Sequence, residues 1–441
     1  MGETQARRPV PVLRLDELPM AEDRTPGYAM LRESGPVIRT RFGALLLVTA
    51  EAAEFVLKHP GLFSSKQAFA VGSPLPLVPI AFDPPEHTRY RRILHPFFSP
   101  RGTAPWLPEV RALAGRLIDG FAGRGECDLV TELAVPLPAQ VFLTLFGLPL
   151  EDRDRLIAWK DGLLAIQAGP GGESRAERGM RLGAELFEYL VDHVARCRRE
   201  GVTAGLLGQL LKDTSEDQLT DEEIYGLSFL FVLAGLETVT SALSTAFAAL
   251  AGQPQLRRQI AADPSVIPAA VEELLRFDGP VVFVARVAAQ DVELAGQIIP
   301  AGANVQVCVA TADRDPAEHQ DPDRIDFSRQ ERSLAFGAGP HRCLGSHLAR
   351  MEMRVALEEW HRRIPDYELA PGTVPRVIWP AGLVGIDHLP LVFPPAGGAR
   401  IEAAAGSEQA GGGGEWPEMC QADRKLPAAG QLRSCPVVLS T

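Results

Sequence analysis

Cys343 stands in the stretch "FGAGPHRCLGSHLAR" (336–350), two residues after His341 and among Gly337, Gly339 and Gly345. A cysteine placed this way is open to three roles: redox handle, metal ligand or buried filler, the last being usual for an isolated cysteine. The neighbours point to a held thiolate. Gly337 and Gly339 permit tight turns and the close approach of something flat or bulky. The following "LGSHLARMEMRVALEEWHRRI" predicts an amphipathic helix whose first-turn N–H groups and positive dipole end face the sulfur. That arrangement lowers a thiol pKa. One thiolate with no second soft ligand nearby suits an iron already held by four other atoms, as in haem.

Other polar residues have spacings with chemical meaning. "DPPEHTRYRR" puts His87 and Arg91 four apart, on one face of a helix beginning after the prolines. "AGLETVTS" sets Glu237 and Thr238 into an otherwise apolar run, with Gly235 offering room. A helical threonine can satisfy its hydroxyl on its own turn. A buried glutamate has no such escape, because desolvation raises its pKa unless it finds partners. "EELLR" holds Glu273 and Arg276 as an i,i+3 pair, worth only a few tenths of a kcal/mol when exposed.

The elements that position these residues are mostly helical. Apolar residues recur at three and four in "PWLPEVRALAGRLIDGFA" (105–122) and in "GMRLGAELFEYLVDHVARCRRE" (179–200). Thr220 with Glu223 forms a capping-box pattern. The run from there to Gly252 is apolar on nearly every side, so it predicts one long helix through the middle of the protein. Strand signals are confined to 44–49, to 292–309, read as a hairpin turning at Pro300 and Gly302, and to 389–393. The predicted class is mainly α with small β-sheets. Residues 1–395 form one domain, and 396–441, including "AGGGGE", is too poor in apolar residues to fold and predicts a disordered tail.

Composition narrows the function classes. The 441 residues are 46% hydrophobic with a net charge of −12, which argues against a nucleic-acid binder. No stretch approaches the run of about 20 apolar residues of a membrane span, and the N-terminus shows no signal h-region. "GETQAR" after Met1 lacks the myristoylation Ser or Thr. The six cysteines (127, 197, 308, 343, 420, 435) show no CxxC spacing, so neither a disulfide framework nor a zinc site is indicated, and a reducing cytoplasm is the expected setting.

"FGAGPHRCLG" fits the cytochrome P450 haem-ligand signature F-G-x-G-x-H-x-C-x-G at every fixed position, and from about residue 20 to 395 the chain resembles the soluble bacterial branch of that family. The resemblance implies a long central helix over a buried haem b, with Cys343 as the axial thiolate on the iron and Phe336 packed near the sulfur. It implies that His87, Arg91, Arg286 and His341 hold the haem propionates by charge-assisted hydrogen bonds. It makes Glu237 and Thr238 the acid–alcohol pair that relays protons to oxygen bound at the iron, and adds Arg324 to Glu273 and Arg276 as a structural triad fixing the cysteine loop. The implied activity is a haem-thiolate monooxygenase. It uses O₂ and electrons from a separate ferredoxin and its NAD(P)H-dependent reductase, since neither a dinucleotide fingerprint nor a ferredoxin cysteine run is seen. Arg342 is a candidate contact for an acidic carrier. A peroxide-driven peroxygenase and a non-catalytic haem sensor are the alternatives. The segments expected at the substrate, 70–82, the central helix, 280–284 and 382–384, are apolar, with Ser73 the only side-chain hydroxyl in the loop segments. The expected substrate is hydrophobic, of terpenoid, steroid or polyketide size. "IDFSRQ" and "GLET" resemble the family's terpene hydroxylases, although Leu75 stands where one of them has an anchoring tyrosine.

Overall fold

The computed structural model describes residues 9–68, 72–165 and 173–395; the predicted tail, 396–441, lies outside the described residues. The helices are α1 Arg24–Glu33, α2 Ala50–Lys58, α3 Glu86–Phe98, α4 Pro100–Thr103, α5 Leu107–Asp119, α6 Pro136–Phe146, α7 Arg153–Leu164 and α8 Arg175–Glu200. They continue with α9 Gly205–Lys212, α10 Asp221–Gly235, α11 Thr238–Gly252, α12 Pro254–Ala262, α13 Ile267–Asp278, α14 Val309–Ala312 and α15 Ser346–Arg363. Most of the core packs among these helices. A smaller core lies between α2 and the largest sheet, around Ala53, Val56, Phe63 and Val307.

That sheet combines β1 (Val12–Leu13), β2 (Val37–Thr40), β3 (Leu45–Leu47), β4 (Phe63–Ser64), β6 (Phe283–Ala288) and β9 (Asn304–Cys308) in the order β1-β2-β3-β9-β6-β4. Strand β5 (Glu126–Asp128) joins β10 (Glu368–Leu369) and β11 (Pro390–Val392), while β7 (Val292–Leu294) and β8 (Gln297–Ile299) pair alone. The 292–309 region is therefore not one hairpin turning at Pro300. The tight turn is Ala295–Gly296, both at positive φ, and the chain after Pro300 leaves to insert β9 between β3 and β6. An alternating apolar pattern shows that strands are present but not which sheet they enter.

The expected single central helix is two. Leu236 ends α10 and Glu237 precedes α11, although 224–252 reads as one apolar run interrupted chiefly by Glu237 and Thr238. Thr238 contributes to the break: its hydroxyl donates to the Ala234 carbonyl at 3.1 Å, a side-chain bond that competes with the helical ladder. The entry is as predicted, with Thr220 and Glu223 forming a reciprocal capping box. By length and composition this pair of helices does satisfy a membrane-span test, contrary to the expectation that nothing in the chain approaches one. However, 72% of its most apolar window is buried inside the protein, which marks a core element.

Candidate active site

The prolines before α3 leave Glu86 in its first turn, and the helix turns His87 inward to 2% exposure. Strand β6 presents Arg286, 4% exposed, and the loop before α15 brings His341 onto His87 with ring centroids 4.0 Å apart. Desolvation is the main force lowering the pKa of each of these groups, and for the two histidines neighbouring basic groups add to it. His87 comes down to about 4 with help from Arg91, and His341 to about 3 with help from His87 and Arg286. Burial lowers Arg286 to about 10 and lowers Arg91 as well. Asp83 is the one carboxylate acting on three of them, and it is engaged by Ser64 Oγ at 2.5 Å and the Ser65 N–H at 2.9 Å. The Arg286 guanidinium donates only to the neighbouring Ala285 carbonyl, and the Arg91 side chain has no hydrogen bond among the described residues. A half-buried cluster of unbalanced donors is built for anions.

The cysteine loop adjoins this cluster. Gly337 and Gly339 both take positive φ, as the predicted turns require, and a Cβ on Gly339 would lie 2.1 Å from the Leu57 carbonyl oxygen. The Cys343 N–H donates to the Phe336 carbonyl at 2.8 Å, closing the loop. Helix α15 begins at Ser346 rather than directly at the sulfur, and Gly345 caps it and donates its N–H to Cys343. Cys343 is exposed, yet its surroundings desolvate the sulfur. Desolvation raises its pKa. The Gly345 N–H and then Arg91, Arg350 and Arg342 act in the opposite direction.

Behind the loop, Arg276 donates to Glu273 at 2.7 and 2.9 Å, both side chains being buried. The third arginine is Arg329, at 3.2 Å from Glu273, and not Arg324, which contributes its carbonyl to Arg276. Both lie in the same turn-rich segment, and only the fold decides which one points inward. Asp313 clamps the loop's other end through Ser333 Oγ (2.9 Å) and the Leu334 N–H.

On the central helices, Glu237 Oε1 accepts from Ser241 Oγ at 2.7 Å and Oε2 is ion-paired with Lys160 of α7. Glu237 and Thr238 do not hydrogen-bond to each other, and the Thr238 hydroxyl is satisfied within α10. Gly235 offers room, as its type suggested, and what fills it is the Phe142 ring of α6, which a Cβ would meet at 2.4 Å. The apolar segments converge in part. Residues 280–284 and 382–384 are bridged by Val282 N–H to Gly382 O (2.9 Å) and Val384 N–H to Pro280 O (2.8 Å). The 72–82 loop rests on α10 where Gly226 faces Pro76, and the Ser73 hydroxyl is spent on its own turn, at 2.7 Å from the Leu75 carbonyl.

The family model for cytochrome P450 matches residues 184–363. A curated relative, probable cytochrome P450 127A1 of Sinorhizobium fredii, is 34% identical over 83% of this chain and 89% of its own length. This chain is a cytochrome P450. The P450 is also 35% identical to the vitamin D(3) 25-hydroxylase of Pseudonocardia autotrophica, over 84% of the chain and 94% of that protein. A solved P450 structure, a mutant of EryK in complex with erythromycin B, superposes with a TM-score of 0.76 at 33% identity, over 83% of this chain and 95% of that one. P450s are oxidoreductases that carry haem b with a cysteine thiolate on the iron and insert one atom of O₂ into a hydrophobic substrate. The residues here fit that group. The accessible sulfur supplies a soft ligand, and the unbalanced cations beside it suit two carboxylates.

Sequence reasoning missed Lys160, Ser241, Asp83, Asp313 and Arg329. Lys160 lies 77 residues from Glu237 and carries no local motif. Asp83 opens the "DPPE" stretch, the one signal that pointed to it.

Proposed function

We propose that this P450 hydroxylates or epoxidises a hydrophobic small molecule of steroid or macrolide size, in the cytoplasm, with electrons from a separate ferredoxin and its NAD(P)H-dependent reductase. The observation that carries the site assignment is the convergence of His87, Arg91, Arg286 and His341 beside Cys343, from α3, β6 and the cysteine loop. In this reading Cys343 holds the iron, and the four donors, two arginine cations and two imidazoles, hold the propionates. When bound, the haem supplies the oxygen activation and the C–H oxidation. The chain's part is to bind, orient and deliver protons. Thr238 and Glu237 move protons at the helix break, and the apolar walls from 72–82, 280–284 and 382–384 orient the substrate and exclude water.

Two observations support the substrate class. The lining segments are apolar, with the Ser73 hydroxyl turned onto its own backbone. The relatives named above act, by their names, on vitamin D(3) and hold erythromycin B. Exposed Arg342, next to Cys343, offers a basic contact to an acidic electron carrier. The test is spectroscopic first. The reduced protein with carbon monoxide should give the strongly red-shifted Soret band of a thiolate-ligated haem, and Cys343→His should abolish it. A spectrum like that of a histidine-ligated globin in the unaltered protein refutes the assignment. A screen of steroids and macrolides for Soret shifts then selects a substrate. NADPH oxidation that requires both that substrate and ferredoxin separates monooxygenase from peroxygenase and sensor.

A further inference from the structure

Helix α11 carries three buried hydroxyls, Ser241, Ser244 and Thr245, in an otherwise apolar sequence. A helical hydroxyl can be satisfied by its own preceding turn, and Ser244 and Thr245 both lie within reach of the Ser241 carbonyl, at 2.9 and 3.1 Å. They also reach other segments. Ser244 Oγ accepts the buried Ile386 N–H at 3.0 Å, and the Thr245 hydroxyl lies 3.0 Å from the Asp278 carbonyl, two residues before Pro280. Gly385 packs backbone-first on Ser241: a Cβ there would meet Oγ at 2.4 Å and Cα at 3.3 Å. With Ile386 at Ser244 and Gly385 at Ser241, the 382–386 segment runs down α11 toward the break at Leu236–Glu237. It is joined to 280–284 by the two backbone bonds described above and by the antiparallel bridge of Val281 with Leu383. Val384 and Ile386 are buried, whereas Leu383 and Val281 are only partly so.

We propose that Ser244 is a specificity-determining positioning residue: by holding the Ile386 N–H it seats the 382–386 segment, and with it the paired 280–284 segment, at a fixed place along α11. The inference rests on the reading of these two segments as walls of the substrate site. The anchor matters because the N–H it holds is buried. Without Ser244 Oγ that donor has no water to turn to, and the backbone must shift to find another acceptor. Gly385 puts no side chain between the segment and α11, so no flexible atoms absorb such a shift, and it passes along the backbone to Leu383. Selection among substrates is then set from behind the wall, by a residue that touches none of them.

The experiment uses two probes on haem-loaded protein, read by their Soret shifts. Imidazole is small enough to reach the iron without leaning on the walls, and 4-phenylimidazole adds a ring that fills apolar space beside it. The quantity read is the ratio of their dissociation constants. Ser244→Ala should weaken 4-phenylimidazole about 3 to 10-fold, the range for losing one neutral hydrogen bond, and imidazole by less than about twofold. Leu383→Ala, on the wall itself, should move the ratio at least as far. Thr311→Ala is the control: it removes a buried hydroxyl of α14 that bonds within its own segment, at 3.1 Å from the Cys308 carbonyl. It should lower the urea midpoint and leave the ratio alone.

An unmoved ratio in Ser244→Ala, with a shift in Leu383→Ala, overturns the proposal and leaves the wall standing. Equal weakening of both probes in Ser244→Ala, or a Thr311→Ala ratio that moves as far, also overturns it, because the ratio then reports general loosening. If neither Ser244→Ala nor Leu383→Ala moves the ratio, the reading of the wall falls and the proposal with it. Should Ser244→Ala fail to fold, Ser244→Cys, close in volume and a weak acceptor, takes its place under the same criteria.

Discussion

At the scale of the residue, Glu237 and Thr238 are neighbours with different partners, one held by Lys160 and Ser241, the other by its own helix. Their substitutions should therefore separate. Thr238→Ala removes a hydroxyl whose resting bond is local to its own turn, so substrate binding and haem reduction should persist while product per NADPH falls and hydrogen peroxide makes up the difference. General acid–base effects reach about 10² to 10⁴-fold when wholly lost, and water standing in for the hydroxyl reduces that figure. Glu237→Gln should instead slow oxygen consumption itself. Simultaneous measurement of NADPH, peroxide and product decides, and unchanged coupling in Thr238→Ala leaves the threonine a helix residue only. Arg286 gives a prediction with opposite signs in two states. Arg286→Leu should weaken haem retention roughly 10 to 100-fold, as expected for losing a charged hydrogen bond. The same change should leave the haem-free protein as stable or more so, since it removes a buried cation that makes no direct ion pair among the described residues and whose desolvation outweighs the pull of Asp83. Haem-transfer rates and apoprotein melts test the two halves. The motif residues were legible in the sequence because each sits in a short pattern. Lys160 and Arg329 were not, because what makes them matter is a partner 77 and 56 residues away.

At the scale of the element, the junction of α5 and α15 concentrates charge on Glu359. Burial alone would raise its pKa, but hydrogen bonds from Arg362, Arg363 and Arg111 prevail and hold it down at about 2, against an ordinary 4.5. A depressed carboxylate stabilises the fold fully above its unfolded pKa, and the benefit is lost as pH falls through the folded value. The window is therefore roughly pH 4.5 to 2, and the stake is about 3 kcal/mol. Glu359→Gln should be less stable at pH 7 by up to that amount and should lack this share of the acid loss, as urea midpoints against pH will show. Elements with end signals were readable: the capping box of Thr220 and Glu223 lies where the pattern put it. The break at Leu236–Glu237 was not, because both halves are apolar and the side-chain bond of Thr238 that competes with the ladder there is equally compatible with an unbroken helix. Strand partnership was equally hidden, since β9 finds β3 more than 250 positions earlier, with Val305 beside Leu45.

At the scale of the whole molecule, every residue assigned a role in haem binding, proton delivery or substrate contact lies between residues 72 and 384, inside the described chain. A chain ending at Pro395 should therefore keep haem content, melting temperature and turnover, because 396–441 is too poor in apolar residues to contribute a core. A marked loss in any of the three would assign that segment a docking or recruiting role. The buried charges behind the cysteine loop have a different kind of consequence. Arg276 gathers the carbonyls of Asp313, Pro322 and Arg324 while Asp313 grips Ser333 and Leu334, so the segment leading to Cys343 is anchored by its own protein. A ligand arriving at a loop already so confined costs little further chain entropy. Uptake of the cofactor by the finished fold should then be a simple second-order encounter, its rate proportional to free haem, with no slow ordering phase behind it.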